Sequence, residues 1–171
     1  MQSGGTENDE VRSIGLDVMG NVYSTGTFRG SADLDPGTGT LNFTSAGEGD
    51  IFIQKLGPAG NFLWAKQMGG TGDDESRSMV VDGSGNIYAT GHFNGTVDFD
   101  PGADTYYLSG SGSFILKLDP SGNFVWVKAM GGSSRSIDGY GNVHDAGDGS
   151  IQKLYPSGNL LWDRQVNGSL I

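Results

Sequence analysis

The sequence repeats itself, and that repetition constrains the fold more than anything else in the chain. The clearest copy runs R-S-M-V-V-D-G-S-G-N-I-Y-A-T-G-H-F-N-G-T-V-D-F-D-P-G from Arg77 to Gly102 and continues through F-I-L-K-L-D-P-S-G-N-F-V-W-V-K-A-M-G-G to Gly132. An earlier copy spans Arg12 to Gly70, and a shortened one spans Arg135 to Gly168. A period of tens of residues marks a repeat architecture, whose units bury their faces only against neighbouring units.

Each copy carries two x-x-G-N tetrads: V-M-G-N and P-A-G-N, then G-S-G-N and P-S-G-N, then G-Y-G-N and P-S-G-N. Gly accepts positive φ freely and Asn tolerates it better than most residues, so such tetrads close β-hairpins. Their flanks, such as S-M-V-V-D, I-Y-A-T-G-H-F, F-I-L-K-L and F-V-W-V-K-A-M, are short runs rich in β-branched and aromatic residues. No segment keeps a long apolar period of 3.6, so helix is not expected. Each unit is therefore two hairpins, or four strands. Copies one and two add a segment around D-L-D-P-G or D-F-D-P-G, expected to project as a small extra hairpin. Copy three lacks it, and the spacing of 62 residues from Trp64 to Trp126 shrinks to 36 from Trp126 to Trp162.

The expected fold class is all-β, with repeated four-stranded antiparallel blades of β-propeller type. Two blades are full (residues 1–68 and 69–130) and one is trimmed, in 131–171 with a tail. The strings G-D-D-E-S-R-S-M-V-V-D-G-S-G-N-I-Y-A-T-G, G-T-V-D-F-D-P-G and F-I-L-K-L-D-P-S-G-N-F-V-W-V-K resemble the bacterial SBBP-type β-propeller repeats. The resemblance implies a propeller-type scaffold and a secreted or cell-surface setting. It carries no catalytic residues.

Composition narrows the function. The 171 residues hold 31 glycines and only five prolines, a pattern of many tight turns rather than a collagen triplet. A formal charge of −10 disfavours nucleic acid, which is not expected as a partner, because phosphate binding needs clustered Lys and Arg. Cysteine is absent, which removes disulfides and thiolate chemistry. No apolar run approaches the length that spans a bilayer, so membrane insertion is not expected, and the start M-Q-S-G-G-T lacks the pattern of an export signal.

Closed propellers use four to eight blades. Two full units and one trimmed unit cannot easily enclose an axis, so the outer faces of the end units need a cover. The chain starts and ends at the same phase of the repeat, and its last unit is expected to pack on the first unit of another copy; the competing reading is a piece excised from a longer propeller. Such a heterologous contact makes a ring or a filament.

The D-P-G loops are the first candidate site. Asp33 and Asp35, and likewise Asp98 and Asp100, stand two apart, so on a strand their carboxylates share a side. With Asp104 they could offer oxygens to Ca²⁺; the competing reading is a plain turn in which Asp caps backbone N–H groups. No other cofactor is expected. The acidic runs at Glu7–Glu10 and Asp73–Glu75 read mainly as solvated charge. Asp17, Asp82 and Asp138 each precede a G-N turn, with Arg12, Arg77 and Arg135 upstream, and are expected to cap the turn or to pair with the arginine. Trp64, Trp126 and Trp162 fall at equivalent strand positions and are expected in the core, with sugar stacking as the lesser reading. His92 and His144 match no Ser-His-Asp or metal spacing, and no helix follows the Gly-rich strings to make a phosphate loop. Sequons occur at Asn42, Asn94 and Asn167.

The sequence thus points to a non-catalytic extracellular structural repeat protein that self-associates. A glycan- or protein-binding propeller module, with or without calcium, is the alternative, and a propeller lyase or hydrolase ranks third.

Overall fold

A computed structural model describes residues 4–131, 134–147 and 149–166, and these contain strands and turns with no helix. Three four-stranded antiparallel sets follow one another along the chain. The first comprises β2 (Glu10–Leu16), β3 (Val22–Phe28), β6 (Asp50–Leu56) and β7 (Phe62–Gly70), neighbours in that order. The second comprises β8 (Glu75–Val81), β9 (Ile87–Asp98), β10 (Tyr107–Leu118) and β11 (Phe124–Met130). The third is β12 (Ser134–Ile137), β13 (Val143–Gly147), β14 (Ser150–Leu154) and β15 (Leu160–Gln165).

The hairpin turns explain why the chain reverses where it does. In the first turn of each unit, the Asp Oδ1 accepts bonds from the N–H groups two and four residues on, and Oδ2 is reached by the Asn side-chain amide in all three units. The pairs are Asp17 with Asn21, Asp82 with Asn86 and Asp138 with Asn142, with every bond between 2.7 and 3.0 Å. The intervening Gly20, Gly85 and Gly141 sit at φ 80°, 83° and 79°, where a side chain would be strained. Asp119 and Asn123 build the same motif in a second turn, that of unit two.

The D-P-G segments do not project as free hairpins. In unit two the segment simply prolongs β9 and β10, and its Val97 and Phe99 are fully buried. In unit one it forms β4 (Ser31–Asp33) and β5 (Asn42–Thr44), which fold back so that Ala32, Leu34 and Phe43 pack on Phe28, Phe52 and Ala65. Alternating apolar residues gave the segment a buried side, and the blade face beneath it supplied the partner.

The units interlock. The end of β7 leaves its own sheet, and Gly69 and Gly70 pair with Asp98 and Val97 in β9. Sixty-five residues earlier, β1 (Gly4–Gly5) pairs with Asp33 and Ala32 in the same manner. A boundary between residues 68 and 69 therefore falls within a single strand. The main core lies between units one and two, where Tyr23, Ile51, Ile53 and Met68 meet Met79, Ile87, Ala89 and Leu116. A second joint buries Tyr88 and Ile115 against Val143 and Leu154 of unit three. No strand of the third sheet pairs with the first two sets among the described residues, and the sheets do not close into a ring.

Candidate functional site

The chemistry-bearing side chains gather at the joints between units. At the first joint, the Lys55 Nζ lies 4.7 Å from the Tyr23 ring centre and donates a 3.2 Å bond to the Pro120 carbonyl of unit two. At the second, the Lys117 Nζ lies 4.9 Å from the Tyr88 ring centre and donates a 2.9 Å bond to the Pro156 carbonyl of unit three. A cation over an aromatic face is attracted by the ring quadrupole, more strongly as water is excluded. Burial lowers the Lys117 pKa, and the Asp82 carboxylate works against that shift. Both tyrosine pKa values are raised, by burial first and then by the neighbouring aspartates.

Trp64 and Trp126 belong to these joints. They are partly buried, edge-on to Tyr23 and Tyr88 at 6.1 and 6.2 Å. The Trp126 Nε1 donates a 3.0 Å bond to the Pro156 carbonyl. Trp162 holds the equivalent place in unit three and is also partly buried, with the Arg164 guanidinium 6.0 Å from its ring centre. The fully buried positions are taken by Tyr23, Tyr88, Phe28, Phe93, Phe99 and Phe114 instead.

The arginines do not reach the turn aspartates. Arg12 pairs with Glu10, and Arg77 bonds Glu75 at 3.1 Å, each beside a register shift in the β2–β3 and β8–β9 ladders. A β-bulge inserts one residue, and Arg12 and Arg77 are those extra residues. In unit three the described β12–β13 ladder runs from Ser134 without a register shift. Its Arg135 stands where unit two has Met79, and it bonds Asp145 at 2.8 Å inside the joint. Asp17 is held below the usual carboxylate pKa. Burial opposes ionisation there, but bonds from Asn21, Tyr23 and the Met19 N–H outweigh it.

The acidic junction loops are not simply solvated. Asp74 is wholly buried, with Oδ2 accepting from the Gly70 N–H at 2.8 Å and Oδ1 from the Asn94 N–H at 2.9 Å. Asp9 does the same for Gly5 and Arg29 in unit one. Each aspartate thus fastens the incoming strand to the inserted hairpin. Asp73 pairs with Arg29 at 2.9 Å. Asp50 is also buried, and its Oδ2 accepts from Gln67 Nε2 at 2.6 Å and from the Ala46 N–H at 3.2 Å. The recurrence of Asp9 and Asp74 at the unit period was the signal in the sequence that could have revealed this clamp. Lys55, Lys117 and Lys153, charged residues inside apolar strands, were the signal for the joint.

Burial raises the pKa of both Asp50 and Asp74. In the unfolded chain an aspartate titrates near pH ~4. These two groups therefore favour the folded state most where they can keep a proton, and stability falls as pH rises through their elevated values. The capping carboxylates Asp17, Asp119 and Asp138 have lowered values and act oppositely, losing their contribution as pH falls through them. The thermal midpoint should peak in mildly acidic buffer, with a gentler alkaline decline in Asp50→Asn. A flat profile between pH ~4 and ~8 in a melting series contradicts this assignment.

The candidate calcium residues accept backbone bonds. The Asp33 Oδ1 takes the Asp35 and Leu41 N–H groups at 3.0 and 2.9 Å, and the Asp98 Oδ1 takes those of Asp100 and Tyr106 at 3.1 and 2.9 Å. Asp35 and Asp100 each accept from the glycine two residues on, and Asp104 lies exposed in the same loop as Asp100. The Leu41 and Asp35 bonds hold the Asp33 pKa below its usual value. No group of three or more His, Cys, Asp or Glu side chains is arranged to hold a metal among the described residues. The D-P-G loop of unit two forms one wall of a groove of about 460 Å³, with Asp98, Asp100 and Pro101 facing Phe43 and Gln67. His92 and His144 lie on different strands, each half-buried. Asn42 and Asn94 are exposed, and Asn167 lies outside the described residues.

Four-stranded antiparallel sheets that recur, interlock and pack face to face define a repeat protein of β-propeller type. Residues 63–97 match the SBBP β-propeller repeat family, so the chain carries a repeat of that family. The match runs through β7, β8 and most of β9, the stretch where one unit hands over to the next. The chain is also similar to an uncharacterized WD repeat-containing protein of Acanthamoeba polyphaga mimivirus, at 29% identity over 127 residues. That alignment covers 67% of this chain and 9% of the viral protein, so the chain spans about a tenth of its length. A crystal structure of a protein of unknown function from Bacteroides caccae overlays at TM-score 0.32 and 11% identity, covering 93% of this chain and 82% of that one.

Proposed function

We propose that this chain is a non-catalytic structural repeat protein of the cell surface or extracellular medium, and that it self-associates through its end units. The observation that carries this reading is a mismatch in exposure between equivalent positions. Met79 of unit two is 5% exposed because it packs on unit one, whereas its counterpart Ile14 is 67% exposed and Leu16 nearby is 64% exposed. In unit three Ile151 is 39% exposed, whereas its counterparts Ile53 and Ile115 are fully buried. Apolar residues that are buried in one unit and bare in its equivalent mark a face built to be covered. Sedimentation velocity over a dilution series tests it. The weight-average mass should exceed that of one chain and rise with concentration, and electron microscopy should then show rings or fibres. A concentration-independent single-chain mass removes the reading.

Ligand binding in the groove beside the second D-P-G loop is the second reading, favoured by the space between Phe43 and Asp98–Pro101. Calcium held by Asp98, Asp100 and Asp104, with Asp33 and Asp35 in unit one, belongs to that reading. On it, millimolar calcium raises the melting midpoint of the wild type but not of a protein carrying Asp98→Ala and Asp100→Ala. Equal shifts in both proteins, or none, exclude it.

A further inference from the structure

We infer that the open end of unit three is a socket for a P-x-G-N turn, and that its occupant is the Pro58–Asn61 turn of a second copy. The inference rests on the self-association reading and specifies its contact. The same joint is built twice within the chain. In each case one unit supplies a lysine, a tryptophan and a second cation two residues after the tryptophan; the next unit supplies the turn.

At the first joint, Lys55 bonds the Pro120 carbonyl, and Gly122 sits between Trp64 and the Lys66 stem. A Cβ on Gly122 would come within 3.1 Å of the indole and 3.0 Å of Lys66. At the second, Lys117 and the Trp126 Nε1 both donate to the Pro156 carbonyl, and Gly158 lies against Trp126 and Lys128. A Cβ there would come within 3.0 Å of the indole and 3.1 Å of Lys128. The glycine lets backbone approach the ring closely, and its φ near 79° suits the turn.

Unit three repeats the socket side with Lys153, Trp162 and Arg164. Among the described residues Lys153 pairs with Asp138, at 3.8 Å, and Arg164 leans over the indole. Unit one repeats the turn side. Gly60 has φ 79° like its counterparts, yet none of the described residues beyond its chain neighbours lies within 4 Å of the place a Cβ would take. The turn and the socket sit at opposite ends of the stack, and they match as at the two internal joints: lysine and indole donors on one side, and on the other a proline carbonyl and a glycine that lets the backbone approach the ring. A contact of this kind is head-to-tail, so its symmetry makes rings or open chains rather than isologous dimers.

The test uses two full-length variants. Trp162→Ala with Arg164→Ala spoils the socket, and Gly60→Asn puts a side chain on the turn while Asn still tolerates the positive φ. Neither change touches a joint inside the chain, so melting midpoints near that of the wild type establish folding. Each variant alone should sediment with the mass of one chain. Their equimolar mixture should regain one intact joint and give a species of twice that mass and no larger. Wild-type association that both variants retain overturns the socket while leaving self-association standing. A mixture that stays monomeric overturns the head-to-tail pairing, and a monomeric wild type overturns both readings.

Discussion

Gly91→Ala should bring the protein to the edge of unfolding or beyond it. Gly91 faces Ser76 across the β8–β9 ladder, next to the bulge at Arg77. A Cβ there would fall on the carbonyl oxygen of Glu75 and within 2.9 Å of the Phe114 ring, itself fully buried. Backbone cannot swing aside as a flexible side chain can, so the bulge must open or the Phe114 ring must leave its cluster. Overpacking of this kind costs about 3 kcal/mol or more, a large share of the roughly 5–15 kcal/mol that holds a typical domain. Gly26 shares the backbone clash in unit one, its Cβ meeting the Glu10 carbonyl. The expected result is insoluble protein or a denaturation midpoint lowered by more than half. A soluble Gly91→Ala protein with a wild-type midpoint would mean that the bulge is placed wrongly.

Asp74→Ala should be the next most damaging change. It removes a carboxylate that accepts from Gly70 and Asn94, and both N–H groups lose their acceptor. Bonds to charged groups are worth about 1.5–3 kcal/mol each, and a buried donor left without an acceptor adds its desolvation. Burial of the Asp74 charge offsets part of that, so a net loss of about 3 kcal/mol is expected. Asp74→Asn keeps one acceptor oxygen and should lose less than half as much. Chemical denaturation of the two variants side by side measures the difference. Equal losses would show that Asp74 fills space rather than holding the two strands. The corresponding change at Asp9 should be milder, because that residue is not buried to the same degree.

The sequence revealed what short-range chemistry determines. An Asp four residues before an Asn, with Gly between, makes its hydrogen bonds within five residues, so the hairpins at Asp17, Asp82 and Asp138 were readable without any tertiary structure. The β-branched and aromatic flanks then specified strands. The all-β class and the propeller-type repeat were legible for that reason, and the match of residues 63–97 to the SBBP repeat agrees.

Long-range consequences were hidden. Asp74 reads as one more charge in D-D-E because its partners, Gly70 and Asn94, meet only after β7 has crossed to the next sheet. Trp64 and Trp126 pack against the buried clusters, but nothing local says that the Trp126 Nε1 donates to the Pro156 carbonyl of the next unit. Arg135 looked equivalent to Arg77, but in the ladder it takes the place of Met79, two positions on, opposite Asp145. The inserted hairpins looked free because nothing local says that Phe28 and Phe52 lie beneath Leu34.

The crossing of β7 divides the molecule unevenly. Its last two residues are woven into the neighbouring sheet, so heat cannot unravel the first unit without tearing the second. The third sheet is joined to the others only through side chains and turns among the described residues. Melting should therefore begin in the third sheet, and the paired amides of β2, β3, β6 and β7 should exchange their hydrogens as slowly as those in the middle of the chain.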